Sequence, residues 1–270
     1  MSSILLLTDL SDASLNAAAY GVRLFGREGN RFTLLHSYMV PVEADPLMMN
    51  AAPEMEEVET ESIHAFADKL RQHLSMPDLP LEPEMVVGTL PGAIGILNKD
   101  QTFDAVVMGA GSTTGADEWL FGSDVGGVIK GVRVPVIVVP ERATFAGVKH
   151  VLLANDGGDL VPSAFQLLLD LSHRDQGKVT VVRVEDPATP STSVNPDPVF
   201  HALFGDLPHT FLTVQGKEIA ETIDREAVAN SADMVALLHR HLAPVQSWFH
   251  RSTAKQLALH THVPLLVLHQ

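Results

Sequence analysis

Short apolar runs alternate with stretches of helical periodicity along the whole chain. Runs bounded by turn residues predict buried strands, and apolar positions at a period of 3.6 residues predict helices packed on them. The first half contains five predicted strands, at residues 4–7, 32–36, 85–87, 105–108 and 136–139. The second half repeats the order, at residues 151–154, 179–184, 211–214, 234–238 and 265–268.

The repeat predicts two tandem α/β domains, residues 1–143 and 147–270. Strands that alternate with helices pair in parallel, so each domain is expected to be a five-stranded parallel-sheet sandwich with a Rossmann-like arrangement. The last strand of each half is apolar on both faces and would lie at an exposed sheet edge. We therefore expect residues 136–139 and 265–268 to pair antiparallel, which makes the two halves pseudo-two-fold related.

Composition and charge narrow the class of protein. The chain has 270 residues, of which 46% are hydrophobic and 19% charged, so it can bury a full core. It has no cysteine, which excludes disulfides and thiolate chemistry, and its net charge of −15 argues against nucleic acid or an anionic membrane as partner. No apolar run reaches the roughly 18 residues of a membrane helix, and we expect a cytoplasmic protein.

One segment has the pattern of a phosphate-binding loop. Gly109 ends the fourth predicted strand, and Gly122-Ser123 follows thirteen residues later, where the pattern predicts a helix beginning at Ser123. Glycines let backbone N–H groups approach an anion, and the first amides of a helix have no intrahelical acceptor. The alternative from spacing alone is a turn glycine followed by an ordinary helix cap.

Taken with the repeat, these residues resemble the universal stress protein family, in the form in which two domains are fused in one chain. The resemblance covers the whole chain and rests on the segments ILLLTDLSDAS, LLHS, VMG, Gly122-Ser123 and VPVIVVP. Nucleotide-binding members carry the pattern G-x2-G-x9-G-[S/T], which reads here as Gly109, Ser112 and Gly122-Ser123. The implied fold is the adenine nucleotide alpha hydrolase-like fold.

The resemblance also implies a binding site in the first half. Leu7, Asp9 and Ser37 would surround adenine and ribose, and Met108 and Gly109 would lie beside the sugar and phosphates. Residues 112–122 would wrap the phosphates. The implied ligands are AMP, ADP or ATP, with Mg²⁺ accompanying ATP. The candidate binding residues are Leu7, Asp9, Ser37, Met108, Gly109, Ser112, Gly122 and Ser123.

Asp9 has two interpretations. A carboxylate after the first strand can accept hydrogen bonds from ribose hydroxyls. It can also cap the next helix or form an Asx turn, for which Ser11 and Asp12 are competitors. The residues alone leave both interpretations open.

The segment expected to contact the phosphates carries negative charge and no cation. Asp117 and Glu118 lie in the loop and Asp124 follows Ser123, without any Lys or Arg between residues 109 and 124. A carboxylate about 5 Å from a phosphate charge is repelled by roughly 3 kcal/mol at an effective dielectric near 20. We therefore expect AMP or ADP to bind at least as tightly as ATP when no metal is present.

The second half lacks the glycines of the pattern. His239, Leu242 and Ser252-Thr253 stand at the corresponding positions, and Trp248 and Phe249 lie between them. Bulky side chains there are expected to fill the former cleft or to pack against a partner, so the prediction is no more than one nucleotide per chain.

Regulatory or protective binding without turnover is the expected function. A slow nucleotide hydrolase and a ligand-free scaffold are the alternatives, and no catalytic or metal-ligating set can be assembled from spacing. The i, i+2 pairs His239/His241 and His260/His262 are interpreted as surface histidines. Expected partners are an adenine nucleotide, the other half of the same chain and a second copy in a homodimer.

Overall fold

The computed structural model describes residues 2–39, 52–99, 101–110, 118–186, 197–240, 257 and 262–270, with the backbone alone at 52–55, 118–124 and 197. These residues form ten strands and seven helices. The strands are β1 Ser3–Thr8, β2 Arg31–Tyr38, β3 Leu81–Val87, β4 Ala105–Gly109, β5 Val136–Val139, β6 His150–Ala154, β7 Lys178–Glu185, β8 His209–Gln215, β9 Met234–His239 and β10 Leu265–His269. The helices are α1 Asp12–Phe25, α2 Ala52–Leu74, α3 Leu90–Leu97, α4 Glu118–Gly131, α5 Gln166–Arg174, α6 Asp197–Phe204 and α7 Ile219–Ala229. A 3₁₀ turn, Pro162–Phe165, leads into α5.

All ten strands belong to one sheet in the order β3-β2-β1-β4-β5-β10-β9-β6-β7-β8. Every pairing within a half is parallel, and each half has the same internal order. The predicted α/β fold, with two tandem five-stranded parallel units, is confirmed. Because the order is mirrored about the centre, the halves have a pseudo-two-fold relation.

Helices cover both faces of the sheet, because the side chains of each central strand point alternately to opposite sides. In β1, Ile4 and Leu6 contact the layer that contains α1, α2, α5 and α6. Leu5 and Leu7 contact the layer that contains α3, α4 and α7. Helix α1 packs closely on the sheet at Gly21, where an added Cβ would lie 3.0 Å from Leu6 Cδ2.

The two halves meet at β5 and β10, which pair antiparallel as predicted from their apolar character. Val138 pairs with Leu265, Ile137 with Leu266 and Val136 with Val267. All of these side chains are fully buried. The junction therefore converts two edge strands into the centre of a continuous sheet.

Two element boundaries differ by four residues or more from those predicted. The prediction that a helix begins at Ser123 is wrong, because α4 begins at Glu118 and Ser123 lies in its second turn. Gly122 costs a helix only about 1 kcal/mol relative to alanine, too little to end it. Strand β3 begins at Leu81 rather than Met85 and includes Pro83. It tolerates this proline because it is an edge strand, where one row of backbone groups has no strand partner.

Candidate functional site

A cavity of about 90 Å³ opens at the carboxyl ends of the strands of the first half. In parallel α/β sheets ligands bind at these strand ends, where the chain order reverses on either side of β1. Among the described residues the lining is mainly small, apolar or hydroxyl-bearing. It consists of Leu7, Thr8, Asp9, Ser11, Ala13, Ser14, Ser37, Leu90, Met108, Gly109 and Val125.

The turn after β1 shapes the mouth of this cavity. Leu10 has a φ of 67°, a left-handed conformation that a non-glycine residue rarely adopts. Its N–H donates to Thr8 Oγ1 at 2.9 Å, and Thr8 Oγ1 lies 2.8 Å from Ser14 Oγ. This hydrogen-bonded turn fixes where Asp9 stands, at the end of the buried strand.

Ser11 caps helix α1 and Asp9 forms an Asx turn, two roles between which the sequence alone did not decide. Ser11 is the N-cap of α1, because its Oγ accepts from the N–H of Ser14 at 3.1 Å. Asp9 forms an Asx turn, since its Oδ1 accepts from the Ser11 N–H at 3.1 Å and from Ser11 Oγ at 2.5 Å. The Asp9 side chain is thereby oriented, and it lines the cavity.

His36 supports the turn from behind the cavity. Its Nδ1 donates to the backbone oxygen of Thr8 at 2.9 Å, and its Nε2 lies 3.4 Å from Glu59 Oε2. The side chain is buried, so this contact holds the end of β1 against β2. The histidine was visible in the segment LLHS, but no spacing indicated that it would support β1.

The structure brings five of the eight candidate residues together. Leu7, Asp9, Ser37, Met108 and Gly109 all line the cavity. Ser112 lies outside the described residues. Gly122 and Ser123 are placed by their backbone, inside α4. Thr8, Ser11 and Ser14 also line the cavity but were not predicted as binding residues, although all three lie within the segment TDLSDAS.

The described lining contains one anionic group, Asp9, and neither lysine nor arginine. Its hydroxyl groups can donate to or accept from a ligand, and the Asp9 carboxylate can only accept. Leu7, Met108 and Val125 offer an apolar surface beside these groups. Such a lining suits a flat ring joined to a group that carries hydroxyls better than it suits a compact anion.

The second half repeats the turn with the same geometry. Gly157, at φ 77°, donates its N–H to Asn155 Oδ1 at 2.9 Å, as Leu10 does to Thr8. Gly158 donates to Asp156 Oδ1 at 3.0 Å, as Ser11 does to Asp9. Asp156 is therefore the counterpart of Asp9.

The carboxylate of Asp156 is paired with an arginine, whereas the described lining around Asp9 contains none. Arg240 Nη1 forms an ion pair with Asp156 Oδ2, and Arg240 Nη2 donates to the Asp159 backbone oxygen at 2.8 Å. The two paired side chains are only 12% and 6% exposed. A separate space of about 10 Å³, room for about one water, is lined by Asn155, Asp156 and Arg240 together with Phe165 and Phe200 of the layer that contains α5 and α6.

The strand register also corrects one sequence correspondence. Leu5 pairs with Val106 in the first half and Leu152 with Val235 in the second. Continued along the strands, this register makes Leu238, and not His239, the residue of the second half that is equivalent to Gly109. Leu238 is 6% exposed, so the position of the glycine is taken by a buried apolar side chain. Trp248, Phe249 and the remaining pattern positions of the second half lie outside the described residues.

Each half of the chain matches the same protein family. The model of the universal stress protein family matches residues 1–140 and again residues 147–269. The chain belongs to the universal stress protein family. Among curated proteins, none matches it in sequence.

Solved structures agree with the tandem fold. A universal stress protein from Archaeoglobus fulgidus DSM 4304 is 18% identical with a TM-score of 0.70, covering 100% of this chain and 96% of its own. A putative universal stress protein from Pseudomonas aeruginosa UCBPP-PA14 is 14% identical with a TM-score of 0.55, covering 100% and 93%. At these identities the likeness shows the fold alone.

A universal stress protein solved in complex with cAMP is 19% identical, with a TM-score of 0.40, and covers 51% of this chain and 96% of its own. That likeness covers about half of this chain.

Proposed function

We propose that this universal stress protein binds one adenine nucleotide per chain, in the first half, and acts by regulatory or protective binding without turnover. The observation that carries the proposal is the contrast between two equivalent aspartates. Asp9 lies on a cavity of about 90 Å³, whereas the carboxylate of Asp156 is held in an ion pair with Arg240 and is only 6% exposed.

The lining supports a nucleoside at this position. Leu7, Met108 and Val125 can contact the adenine ring, and burial of apolar surface contributes roughly 25 cal/mol per Å². Asp9 is already oriented by the Ser11 N–H, so its carboxylate can accept a ribose hydroxyl without first being ordered. Ser37, on the neighbouring strand, offers a hydroxyl from the other side of the cavity.

The phosphate end determines which nucleotide is preferred. The described lining supplies no cation, and the segment from Gly109 to Asp124 contains none. Repulsion from the carboxylates of this segment grows with phosphate charge. We expect AMP or ADP to bind at least as tightly as ATP without metal, with Mg²⁺ improving ATP binding by reversing the local charge. Calorimetry in EDTA that shows ATP clearly tightest would remove this argument.

The direct experiment is to denature the purified protein and chromatograph the released small molecules, then to titrate the ligand-free protein with AMP, ADP and ATP. We expect at most one adenine nucleotide per chain. Ser37→Leu should weaken binding by about tenfold or more, because the added carbons enter the cavity. Ser163→Leu, the same change at an exposed serine of the second half, should leave binding unchanged.

Different outcomes select the alternatives. Two nucleotides per chain, or unaltered binding in folded Ser37→Leu protein, would refute the proposed site. Conversion of bound ATP to ADP over hours would indicate the slow hydrolase. If no nucleotide is released and none binds in the titration, the remaining alternative is a ligand-free scaffold.

Three further expectations belong to the same proposal. The domain boundaries are proposed at residues 1–143 and 147–270, and a cytoplasmic location and a homodimer of the whole chain stay predictions. No helix within the described part of the chain is long and apolar enough to cross a membrane.

A further inference from the structure

Two histidines in the second half point their ring nitrogens at each other. His201 lies in the last turn of α6, and His209 is the first residue of β8. Nε2 of His209 is 2.5 Å from Nδ1 of His201, and the ring centroids are 4.6 Å apart. Neither residue belongs to the nucleotide cavity or to the Asp156–Arg240 pair.

The tautomer of His209 follows from its other nitrogen. Nδ1 of His209 is 2.7 Å from the backbone oxygen of Leu207, and a carbonyl oxygen can only accept. Nδ1 therefore carries the hydrogen, and in the neutral ring Nε2 presents its lone pair to His201. Metal-binding histidines are oriented in the same way, by a backbone carbonyl on the nitrogen that does not bind the metal.

Aromatic rings hold this arrangement in place. His209 packs against Phe204 at 5.2 Å and against Phe211 at 5.8 Å between ring centroids. His201 meets Phe211 edge-on at 5.5 Å. His209 is thus restrained on two sides, while His201 remains exposed to solvent.

We propose that His201 and His209 form a binding site for a divalent transition-metal ion of the kind that prefers imidazole, such as Cu²⁺ or Zn²⁺. Two metal–nitrogen bonds of about 2.1 Å at angles of about 90–110° separate the nitrogens by about 3.0–3.4 Å. The pair opens to this distance by a rotation of the exposed His201 ring. Among the described residues no third histidine or carboxylate completes the set, so water fills the other positions.

Metal binding requires no proton to leave the histidine pair. Without metal, Nδ1–H of His201 donates to Nε2 of His209. When the metal binds, both of these nitrogens supply lone pairs, and the His201 proton moves to its own Nε2. The bound ion ties the end of α6 to β8. By the Irving–Williams order Cu²⁺ binds more tightly than Zn²⁺.

The test is a titration of the full chain with Cu²⁺ alone and Zn²⁺ alone, followed by calorimetry. His201→Gln is the key variant, because a glutamine N–H can still donate to His209 Nε2 but cannot replace an imidazole ligand. We expect His201→Gln and His209→Gln each to weaken the tightest Cu²⁺ site by about tenfold or more. The control is His262→Gln, which removes an exposed histidine paired with Asp224.

A second readout separates a site from general binding by the 13 histidines of the chain. EPR of the one-equivalent Cu²⁺ complex should show two nitrogen ligands, one of which disappears in His201→Gln. Zn²⁺ should raise the thermal midpoint of the wild type and not that of this variant. Equal Cu²⁺ affinity and an unchanged EPR spectrum in folded His201→Gln would overturn the proposal and leave a hydrogen-bonded pair.

Discussion

The Asp156–Arg240 ion pair allows a quantitative test of why the second half differs from the first. Replacing Arg240 by alanine leaves the Asp156 carboxylate, 6% exposed, without its cation. Asp156 Oδ1 still accepts from the Gly158 N–H, but Oδ2 loses its partner. The loss in unfolding free energy of Arg240→Ala therefore measures the destabilisation caused by an unpaired buried carboxylate.

The magnitude follows from the burial of both partners. Removing one partner of a buried ion pair destabilises a protein by about 3–5 kcal/mol, most of it from the remaining charge. Because water can enter the space left by Arg240, we expect about 3 kcal/mol for Arg240→Ala. Asp156→Asn should cost less, about 2 kcal/mol, because Arg240 retains its bond to the Asp159 oxygen and asparagine retains the bond from Gly158.

The assay is urea denaturation of the two single variants and the double variant. If the charge is the cause, the double variant loses about 3 kcal/mol rather than the sum of about 5, a coupling energy of about 2 kcal/mol. Arg225→Ala is the matched control, since Arg225 is 61% exposed in its pair with Glu226 and should change stability by less than about 0.5 kcal/mol.

If the two single losses add in the double variant, the uncompensated charge is not the cause of the destabilisation. The same conclusion follows if Arg240→Ala is no more destabilising than Arg225→Ala, because Asp156 would then be solvated without its partner. Nucleotide binding by the single variant Arg240→Ala, at two per chain, would show in addition that Arg240 keeps nucleotide out of the second half.

Two further predictions concern pH and the central junction. Burial lowers the pKa of His150, and Lys178 acts in the same direction, so the unfolded chain takes up the proton first as pH falls below about 6.5. The unfolding free energy should therefore drop between pH 7.5 and pH 5.5 by more in the wild type than in His150→Gln, and equal drops would contradict this. In native-state hydrogen exchange the amides of β5 and β10 should be among the slowest, since both strands are paired on two sides. Rapid exchange in either strand would mean that the halves separate in solution.

The positions of the strands along the chain could be predicted from the sequence because each strand is an apolar run between turn residues. Even the antiparallel contact of β5 with β10 followed, since residues 136–139 and 265–268 are apolar on both faces and an uncovered edge would be unstable. The start of β3 was missed because Pro83 argues against a strand, and nothing local shows that this strand lies at an edge.

The candidate site was predicted less completely. Leu7, Asp9, Ser37, Met108 and Gly109 share a cavity because parallel strands end at the same edge of the sheet.

Two side-chain pairings could not be predicted in the same way. Arg240 meets Asp156 across 84 positions of the chain, and His201 meets His209 through a turn, so neither spacing resembles a motif. The start of α4 was also missed, because helix propensity gives little reason to choose between Glu118 and Ser123.

The central junction of β5 with β10 has a consequence for how the halves can diverge. In a homodimer built from identical subunits, every substitution appears on both sides of the two-fold axis, so one site cannot be closed while the other stays open. Here the partner is covalently attached, and its effective concentration does not fall when the protein is diluted. An arginine can thus face the aspartate of one half without any change in the other, so each half can acquire its own substitutions within one polypeptide.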